Sequence, residues 1–226
     1  MTAHRRNSAK IAIIGPGRMG ARLGKIWSQA GHEVTLSFGR DQQKLQFAAR
    51  AGGSRARTAD PAQAATDAEV VVLAVPWGAV DAALQQAGSL AGKILLTIVN
   101  PILPDMSGLA LGTTTSGAEE IAKKAPGARV VEAIPPFADV LASSSRRFDG
   151  EQTASFYCGD DAEAKQVVAE LLADLDIQAV DAGPLRNARY IEPAGFLLVQ
   201  LQYAPTAQGQ YGLHVLVRKP EPIEES

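Results

Sequence analysis

One segment near the start of the chain restricts the possible folds more than any other. The residues KIAIIGPGRMGARLGKIW, at 10–27, place an apolar run before three glycines and a helical pattern after them. The run at 11–15 is continuous and branched, which is typical of a buried strand, and residues 18–30 carry apolar side chains at helical spacing. A buried strand that leads directly into a helix predicts an α/β protein with a parallel sheet.

The remainder of the chain repeats this alternation of strand and helix. Residues 101–117 and 135–150 are predicted to be irregular, and 212–217 is a candidate for a last short strand. The further strands are predicted at 32–37, 68–76, 93–101, 128–134, 154–159 and 177–183, and the further helices at 41–50, 79–88, from Ser116 onward, 161–175 and 187–203. We therefore predict a doubly wound, Rossmann-type α/β fold with a mostly parallel sheet and a small C-terminal extension.

Composition excludes several classes of function. The 226 residues are 46% apolar and 20% charged with a net charge of −2, which gives no indication of nucleic-acid or membrane-surface binding. No apolar run is long enough to span a membrane. The single cysteine, Cys158, forms no internal disulfide, so we expect a reducing, cytoplasmic compartment. The basic, polar start of the chain does not resemble a secretory signal.

The three glycines form a recognised pattern. Gly15-Pro16-Gly17-Arg18-Met19-Gly20 matches G-x-G-x-x-G between a predicted strand and a predicted helix. Gly15 permits a tight turn, Gly17 lets the backbone approach a pyrophosphate, and Gly20 lets helix and strand pack closely. The free N–H groups at the helix start would receive the pyrophosphate. A glycine-rich turn without a ligand is the alternative interpretation.

The end of the second strand indicates which dinucleotide is bound. An NAD site usually carries an acidic residue there, whereas residues 36–40 read Leu-Ser-Phe-Gly-Arg. Ser37 and Arg40 would donate to a 2′-phosphate, with Phe38 and Gly39 between them and Lys44 as a weaker candidate. This favours NADP over NAD. The alternative is that Arg40 is a solvated loop cation.

Two further strand ends are expected to face the cofactor, because ligands bind beyond the carboxyl ends of parallel strands. Asn100 would hydrogen-bond to the ribose or the carboxamide. The residues concerned are Ala74-Val75-Pro76-Trp77 and Asn100-Pro101. The alternative is that both segments are simply the starts of loops. We expect the chain to divide into a tail at 1–9, an NADP-binding domain at 10–150, a small α/β part at 151–217 and a tail at 218–226.

Taken together, these residues resemble the coenzyme F420-dependent (deazaflavin-dependent) NADP reductase family, whose fold also forms the NADPH-binding domain of the Steap metalloreductases. The resemblance runs from about 10 to 217 and is carried by GPGRMG, by 113–133, and above all by 157–175 and 180–193. It implies a pyrophosphate on Gly15–Gly20, a 2′-phosphate at 38–40, and ribose and nicotinamide along the two strand ends and Ala133. It further implies a homodimer and direct hydride transfer to a deazaflavin.

One segment departs from the family. After the strand at 128–134, many relatives place a polar segment over the nicotinamide, whereas this chain has Pro135, Pro136 and Phe137. Two prolines remove two backbone donors, so we expect an apolar, rigid pocket suited to a flat ring, with Phe137 and Tyr203 as lining candidates. Cys158 is expected to pack in the core.

Three functions remain open from the sequence. The first is hydride transfer between NADPH and a deazaflavin or other flavin-like acceptor. The second is reduction of another small substrate, an imine or a carbonyl, with Tyr203 or Tyr211 as the proton donor. The third is an NADPH-binding module without catalysis. No residue is assigned as catalytic, no metal site is predicted, and the three histidines are scattered.

Overall fold

The structure is a computed structural model that describes residues 8–39 and 41–218. Most of the two predicted tails at 1–9 and 218–226 lies outside the described residues, namely 1–7 and 219–226, as does Arg40. The strands are β1 (Lys10–Ile14), β2 (Glu33–Ser37), β3 (Ala56–Thr58), β4 (Val70–Leu73), β5 (Ile94–Thr97), β6 (Arg129–Ala133), β7 (Arg147–Phe148), β8 (Glu151–Gln152), β9 (Ala154–Gly159) and β10 (Gln178–Asp181). The helices are α1 (Arg18–Gln29), α2 (Gln42–Ala51), α3 (Pro61–Asp67), α4 (Val80–Ala87), α5 (Gly117–Lys124), α6 (Ala138–Ala142), α7 (Ala162–Ala173) and α8 (Ala188–Tyr203).

Eight of the strands form one sheet in the order β10-β9-β6-β5-β4-β1-β2-β3. The strands from β3 to β6 in this order are all parallel, β9 is antiparallel to β6, and β10 is parallel to β9. The predicted Rossmann-type, mostly parallel sheet is therefore confirmed. The segment after 150 adds two strands to the same sheet.

Helices cover both faces of the sheet, which explains why the central strands are apolar on both sides. One face is packed by α1, α2 and α7, and the other by α3, α4, α5 and α8. On the first face Trp27 is almost completely buried, and its indole N–H donates to the carbonyl of Leu171 at 2.8 Å. This bond joins α1 to α7 across the first layer.

The direction of β9 determines which residues reach the functional edge. Because β9 runs against β6, Thr153 and Ala154 at its start lie beside the end of β6. The carboxyl ends of β1, β2, β4, β5 and β6 meet at that same edge. Residues predicted to belong to a separate extension therefore border the cofactor side of the sheet.

Three details differ from the sequence prediction. The segment 135–150 is not wholly irregular, because it contains α6 and the first strand of the β7–β8 hairpin. Residues 212–217 form no strand; the Leu213 carbonyl accepts from the Ala154 N–H at 2.6 Å, without a continuing ladder. The predicted tail ends before Ala9, which is buried and donates its N–H to His32 Nδ1 at 3.0 Å.

Candidate cofactor site

The glycine turn after β1 brings three strand ends into contact. Gly15 has φ +111°, and a Cβ on it would lie 2.4 Å from the carbonyl oxygen of Ala74. Its N–H donates to the carbonyl of Ser37 at 3.0 Å. A Cβ on Gly39 would contact Pro16 at 3.2 Å. A side chain at Gly15 is excluded by both conformation and space, so the turn locks β1, β2 and β4 together.

The start of α1 is open to a ligand. Gly17 has φ −66°, and a Cβ on it would meet no described atom within 4 Å. Among the described residues no side chain caps α1, whereas Asp41 and Ser116 cap α2 and α5. The first-turn N–H groups of α1 have no partner within the helix and carry partial positive charge. A pyrophosphate fits this end without displacing a protein group.

The third glycine acts by close packing, as predicted. A Cβ on Gly20 would lie 2.1 Å from the Gly15 carbonyl oxygen. Gly20 is buried, whereas Met19 beside it is half-buried and reaches the apolar cavity described below. Met19 therefore connects the glycine turn to the wall of the cavity.

The residues expected to donate to a 2′-phosphate are Ser37, Arg40 and Lys44, of which the structure describes Ser37 and Lys44. Ser37 is completely buried and its hydroxyl donates to the Ala59 carbonyl at 2.6 Å, so its predicted role as a phosphate donor is wrong. Phe38 adopts φ 66° at the strand end. Lys44 is exposed, with Nζ 3.7 Å from Asp41. The Asp41 carboxylate accepts from the Gln43 and Lys44 N–H groups, which lower its pKa.

A positively charged groove runs from the glycine turn between α1 and α2. It has a volume of about 660 Å³ and begins at Pro16 and Gly17. The described cations that line it are Arg18, Arg22, Lys25 and Lys44. Arg18 forms an ion pair with Asp139 of α6, and this contact raises the pKa of the guanidinium. The charge of the groove favours an anionic ligand at this end of the site.

A smaller apolar cavity lies on the other side of Met19. Its volume is about 180 Å³, and α8 forms its roof. The described residues that line it carry no formal charge: Met19, Ile98, Asn100, Ile134, Pro135, Pro136, Phe137, Thr153, Ala154, Phe156, Ile191, Ala194, Gly195, Leu198, Val199, Tyr211, Gly212 and Leu213. Such a lining suits an uncharged, planar group.

Asn100 provides a hydrogen-bonding side chain at the wall of this cavity. Its Nδ2 donates to the backbone carbonyl of Glu192 at 3.0 Å, and its Oδ1 is buried with no hydrogen-bond partner among the described residues. A buried acceptor without a partner is costly unless a ligand supplies a donor. The carboxamide of a nicotinamide ring is such a donor, so Asn100 stays a candidate for binding it. Pro101, which follows it, is buried.

The other predicted strand ends contribute mainly backbone. Ala74 borders Gly15 through its carbonyl, Val75 is buried in the core, and Pro76 is exposed. Trp77 is half-buried against the second helical layer. The Ala133 side chain is completely buried in the core, so its predicted contact with the cofactor is not made by the side chain.

The proline segment lies where the sequence predicts. Pro135, Pro136 and Phe137 all line the cavity, and Pro136 is buried. Tyr203 does not line it, in contrast to the prediction. Its ring packs edge-on against Phe137 with centroids 6.2 Å apart, so it supports the cavity from outside.

Cys158, His32 and His214 lie outside the site. Cys158 is completely buried, its Sγ donates to the Leu185 carbonyl at 3.6 Å, and burial raises the pKa of its thiol. His32 lies just before β2, where its Nε2 is 2.9 Å from Asp174. His214 contacts the Gln152 carbonyl. Cys158 packs in the core, as predicted.

The sequence predicted the roof of the cavity only in part. Residues of α8 and the segment 211–213 close it, whereas the sequence offered only Tyr203 and Tyr211 of this region as candidates near the substrate. A signal for it was present, because 193–217 contains no Asp, Glu, Lys or Arg in a chain that is 20% charged. A long uncharged stretch near the end of a chain indicates surface that is covered by something else.

These features define the class of protein. A parallel sheet with a ligand-ready glycine turn at its switch point is a Rossmann-type dinucleotide-binding fold. The model of the family described as NADP oxidoreductase, coenzyme F420-dependent, matches residues 10–101. The F420-dependent NADP reductase of Methanothermobacter marburgensis is 31% identical over 209 residues, which span 85% of this chain and 92% of that protein.

Two further proteins are similar to this chain over most of its length. Metalloreductase STEAP3 of Rattus norvegicus is 27% identical over 201 residues, covering 89% of this chain and 39% of that protein. A crystal structure of a protein provisionally named an F420-dependent NADP reductase, from Arthrobacter sp. FB24, has 30% identity and a TM-score of 0.77, with 86% of this chain and 94% of that one covered.

The chain belongs to the coenzyme F420-dependent NADP oxidoreductase family and is an NADP-dependent oxidoreductase. The resemblance inferred from the sequence is therefore confirmed. In the described part of the chain, no helix has the length and apolar character needed to cross a membrane.

Proposed function

We propose that NADPH binds along the carboxyl edge of the sheet. The free N–H groups of α1 receive the pyrophosphate beside Gly17, and the end of β2 with Lys44 faces the 2′-phosphate. Asn100 orients the nicotinamide at the mouth of the cavity. The support for this arrangement is the open start of α1 next to a cationic groove on one side and an uncharged cavity on the other.

We further propose that the second substrate is a deazaflavin or another flavin-like ring. NADPH supplies the hydride for this reaction when it is bound. The observation that carries the proposal is the cavity lining, which offers flat apolar surface and no charged side chain among the described residues. Pro135 and Pro136 offer no N–H donors, so they hold a ring by shape and exclude water.

The test is NADPH consumption with a panel of oxidised coenzyme F420, FMN and FAD, with NADH as the parallel donor. Turnover with at least one of these acceptors supports the proposal. Leu198→Trp, which fills the cavity, is expected to abolish turnover while NADPH still binds. Leu216→Trp, at an 85% exposed position, is the matched control and is expected to behave as wild type. Tight NADPH binding without turnover of any acceptor would contradict the acceptor assignment.

We also propose that the chain forms a homodimer through α8. Its outer face exposes Tyr190, Leu197 and Leu201, which are 66%, 60% and 41% accessible. Leu197 and Leu201 of this apolar face belong to the uncharged segment 193–217. We therefore expect the face to be covered by the same surface of a second copy of the chain. Light scattering should give twice the mass of one chain. Leu197→Glu is expected to give monomers, and Phe47→Glu, exposed elsewhere, to remain dimeric; an unchanged mass for Leu197→Glu would exclude this interface.

A further inference from the structure

A fully buried carboxyl group sits in the middle of the sheet. Glu132 of β6 has no exposed surface, and neither carboxyl oxygen has a hydrogen-bond partner among the described residues. Its register neighbours are Thr97 on β5 and Cys158 on β9, both completely buried. The Thr97 hydroxyl lies near the carboxyl group but makes no hydrogen bond of ordinary geometry with it. An orphaned buried acid is rare and calls for an explanation.

A second buried carboxyl group faces it from α8. Glu192 is 2% exposed, and its two oxygens accept from the N–H groups of Gly117 and Ala118 at 2.9 and 3.0 Å. These amides begin α5, so Glu192 joins α8 to α5. A Cβ on Gly117 would lie 3.2 Å from Glu192 Oε1, so glycine permits this approach.

The described residues around the pair provide no compensating cation. In the described residues neither glutamate forms an ion pair, and Arg189, on the same helix, is engaged by Glu119 through bonds of 2.8 and 2.6 Å. The titratable side chains that interact with the pair are Cys158 and Glu119. The backbone amides of α5 also act on it, through their hydrogen bonds to Glu192. Burial and the repulsion from Glu192 raise the pKa of Glu132 well above its usual range. Burial raises the pKa of Glu192 to about 7, although the amides oppose it.

The pair is connected to the apolar cavity through α8. The backbone carbonyl of Glu192 receives Asn100 Nδ2, which fixes the side chain that we assign to the nicotinamide. Gly195, one turn later, lets the helix approach, because a Cβ there would lie 3.1 Å from Ile134 and 3.2 Å from Asn100. Any shift of α8 therefore moves both the roof of the cavity and Asn100.

We propose that Glu132 and Glu192 act as a coupled pair of buried positioning residues that holds α8 and Asn100 over the cavity, and that ionisation of both carboxyl groups loosens α8 from the sheet. The amides of α5 favour Glu192 as the group that ionises first, since two backbone N–H groups donate to it, whereas Glu132 has only the Thr97 hydroxyl nearby. Glu132 then keeps its proton in neutral solution. The part concerning Asn100 rests on the proposed NADPH site, whereas the coupling of the two buried carboxyl groups does not.

The sign of the pH effect follows from proton binding. A carboxyl group whose folded pKa lies above its unfolded value binds more protons in the folded state between these two values, so stability falls as pH rises through that window. Each extra bound proton lowers the folding equilibrium constant about tenfold per pH unit. For Glu192 the window runs from about 4.5 to about 7, and for Glu132 it begins at about 4.5 and extends well above it.

The first experiment measures stability against denaturant from pH 6 to 9 for wild type, Glu132→Gln and the surface control Glu33→Gln. Across this pH range we expect the folding equilibrium constant of wild type to fall at least tenfold more than that of Glu132→Gln. The control Glu33→Gln should follow wild type. Hydrogen exchange should show the excess opening of wild type at pH 9 within α8. Equal pH dependence in wild type and Glu132→Gln would overturn the proposal.

Two measurements on other readouts complete the test. Infrared spectra of the wild type at pH 7 should show the carbonyl band of a protonated carboxylic acid, and this band should be lost or reduced in Glu132→Gln; its absence from wild type refutes the pair even if the variant does not fold. NADPH affinity should weaken severalfold from pH 7 to 9 in wild type and stay constant in Glu132→Gln. Constant wild-type affinity would overturn the link to Asn100. If NADPH does not bind at all, the proposed cofactor site fails, and the infrared and stability results still decide the pair.

Discussion

Substitution of Gly17 separates binding from folding more cleanly than any other change in the site. Its φ of −66° is accessible to alanine, and a Cβ would point into open space. Loss of glycine at a helix N-cap costs about 0.5–1 kcal/mol, and the smaller entropy of the unfolded chain offsets about 0.4–1 kcal/mol. The free energy of unfolding of Gly17→Ala is therefore expected to lie within about 0.5 kcal/mol of the wild-type value.

The same methyl group stands where the pyrophosphate would approach α1. We expect NADPH affinity to fall at least tenfold, equivalent to about 1.4 kcal/mol. Chemical denaturation gives the stability, and NADPH fluorescence titration gives the affinity. Gly112→Ala is the matched control, since a Cβ there also meets no described atom within 4 Å, in a loop away from α1. Wild-type NADPH affinity in Gly17→Ala would refute the assignment of the pyrophosphate to this helix start.

Three further changes test other parts of the structure. Lys44→Glu places a negative charge at the end of the groove and should weaken NADPH about tenfold with little effect on NADH, by titration; equal effects on both would exclude a 2′-phosphate nearby. Trp27→Phe leaves the Leu171 carbonyl unpaired and should lower the unfolding free energy by about 1–3 kcal/mol, measured with urea; no loss would mean that the bond contributes nothing. Because Arg189 lowers the pKa of Glu119, their pair stabilises the fold above about pH 4.5 and is lost as the pH falls, so Arg189→Met should flatten the acid-side decline in thermal stability, and an unchanged decline would contradict the pairing.

Much of the structure at the cofactor-binding edge of the sheet can be predicted from local sequence patterns. The strand, glycine turn and helix at 10–27 follow from burial pattern and conformational freedom within adjacent residues, and the structure shows each of them. The Ser116–Glu119 spacing likewise predicts the start of α5, where the Ser116 hydroxyl accepts from the Glu119 N–H at 3.2 Å. Local patterns succeed here because the interactions that they encode lie within one or two turns of the chain.

Other features depend on which segments become neighbours. The predicted phosphate donor Ser37 instead bonds to Ala59, because β3, which had no clear signal, follows beside β2. Tyr203 appeared to belong to the pocket, but the course of α8 places it behind Phe137. Neither result could be predicted from spacing, since each depends on contacts between residues far apart in sequence.

The sequence alone determined the fold class, the glycine turn and the dinucleotide chemistry, because burial on both faces of a parallel sheet and a tight turn demand particular residue types in a fixed order. The tertiary structure decided that β9 runs antiparallel, so that its start and α8 enclose an uncharged cavity. It also decided that Glu132 and Glu192, sixty residues apart, are both buried and act on one another, and that neither forms an ion pair within the described residues. A side chain's partners are set by strand order and helix placement, and these are global properties that minimise exposed apolar surface over the whole chain.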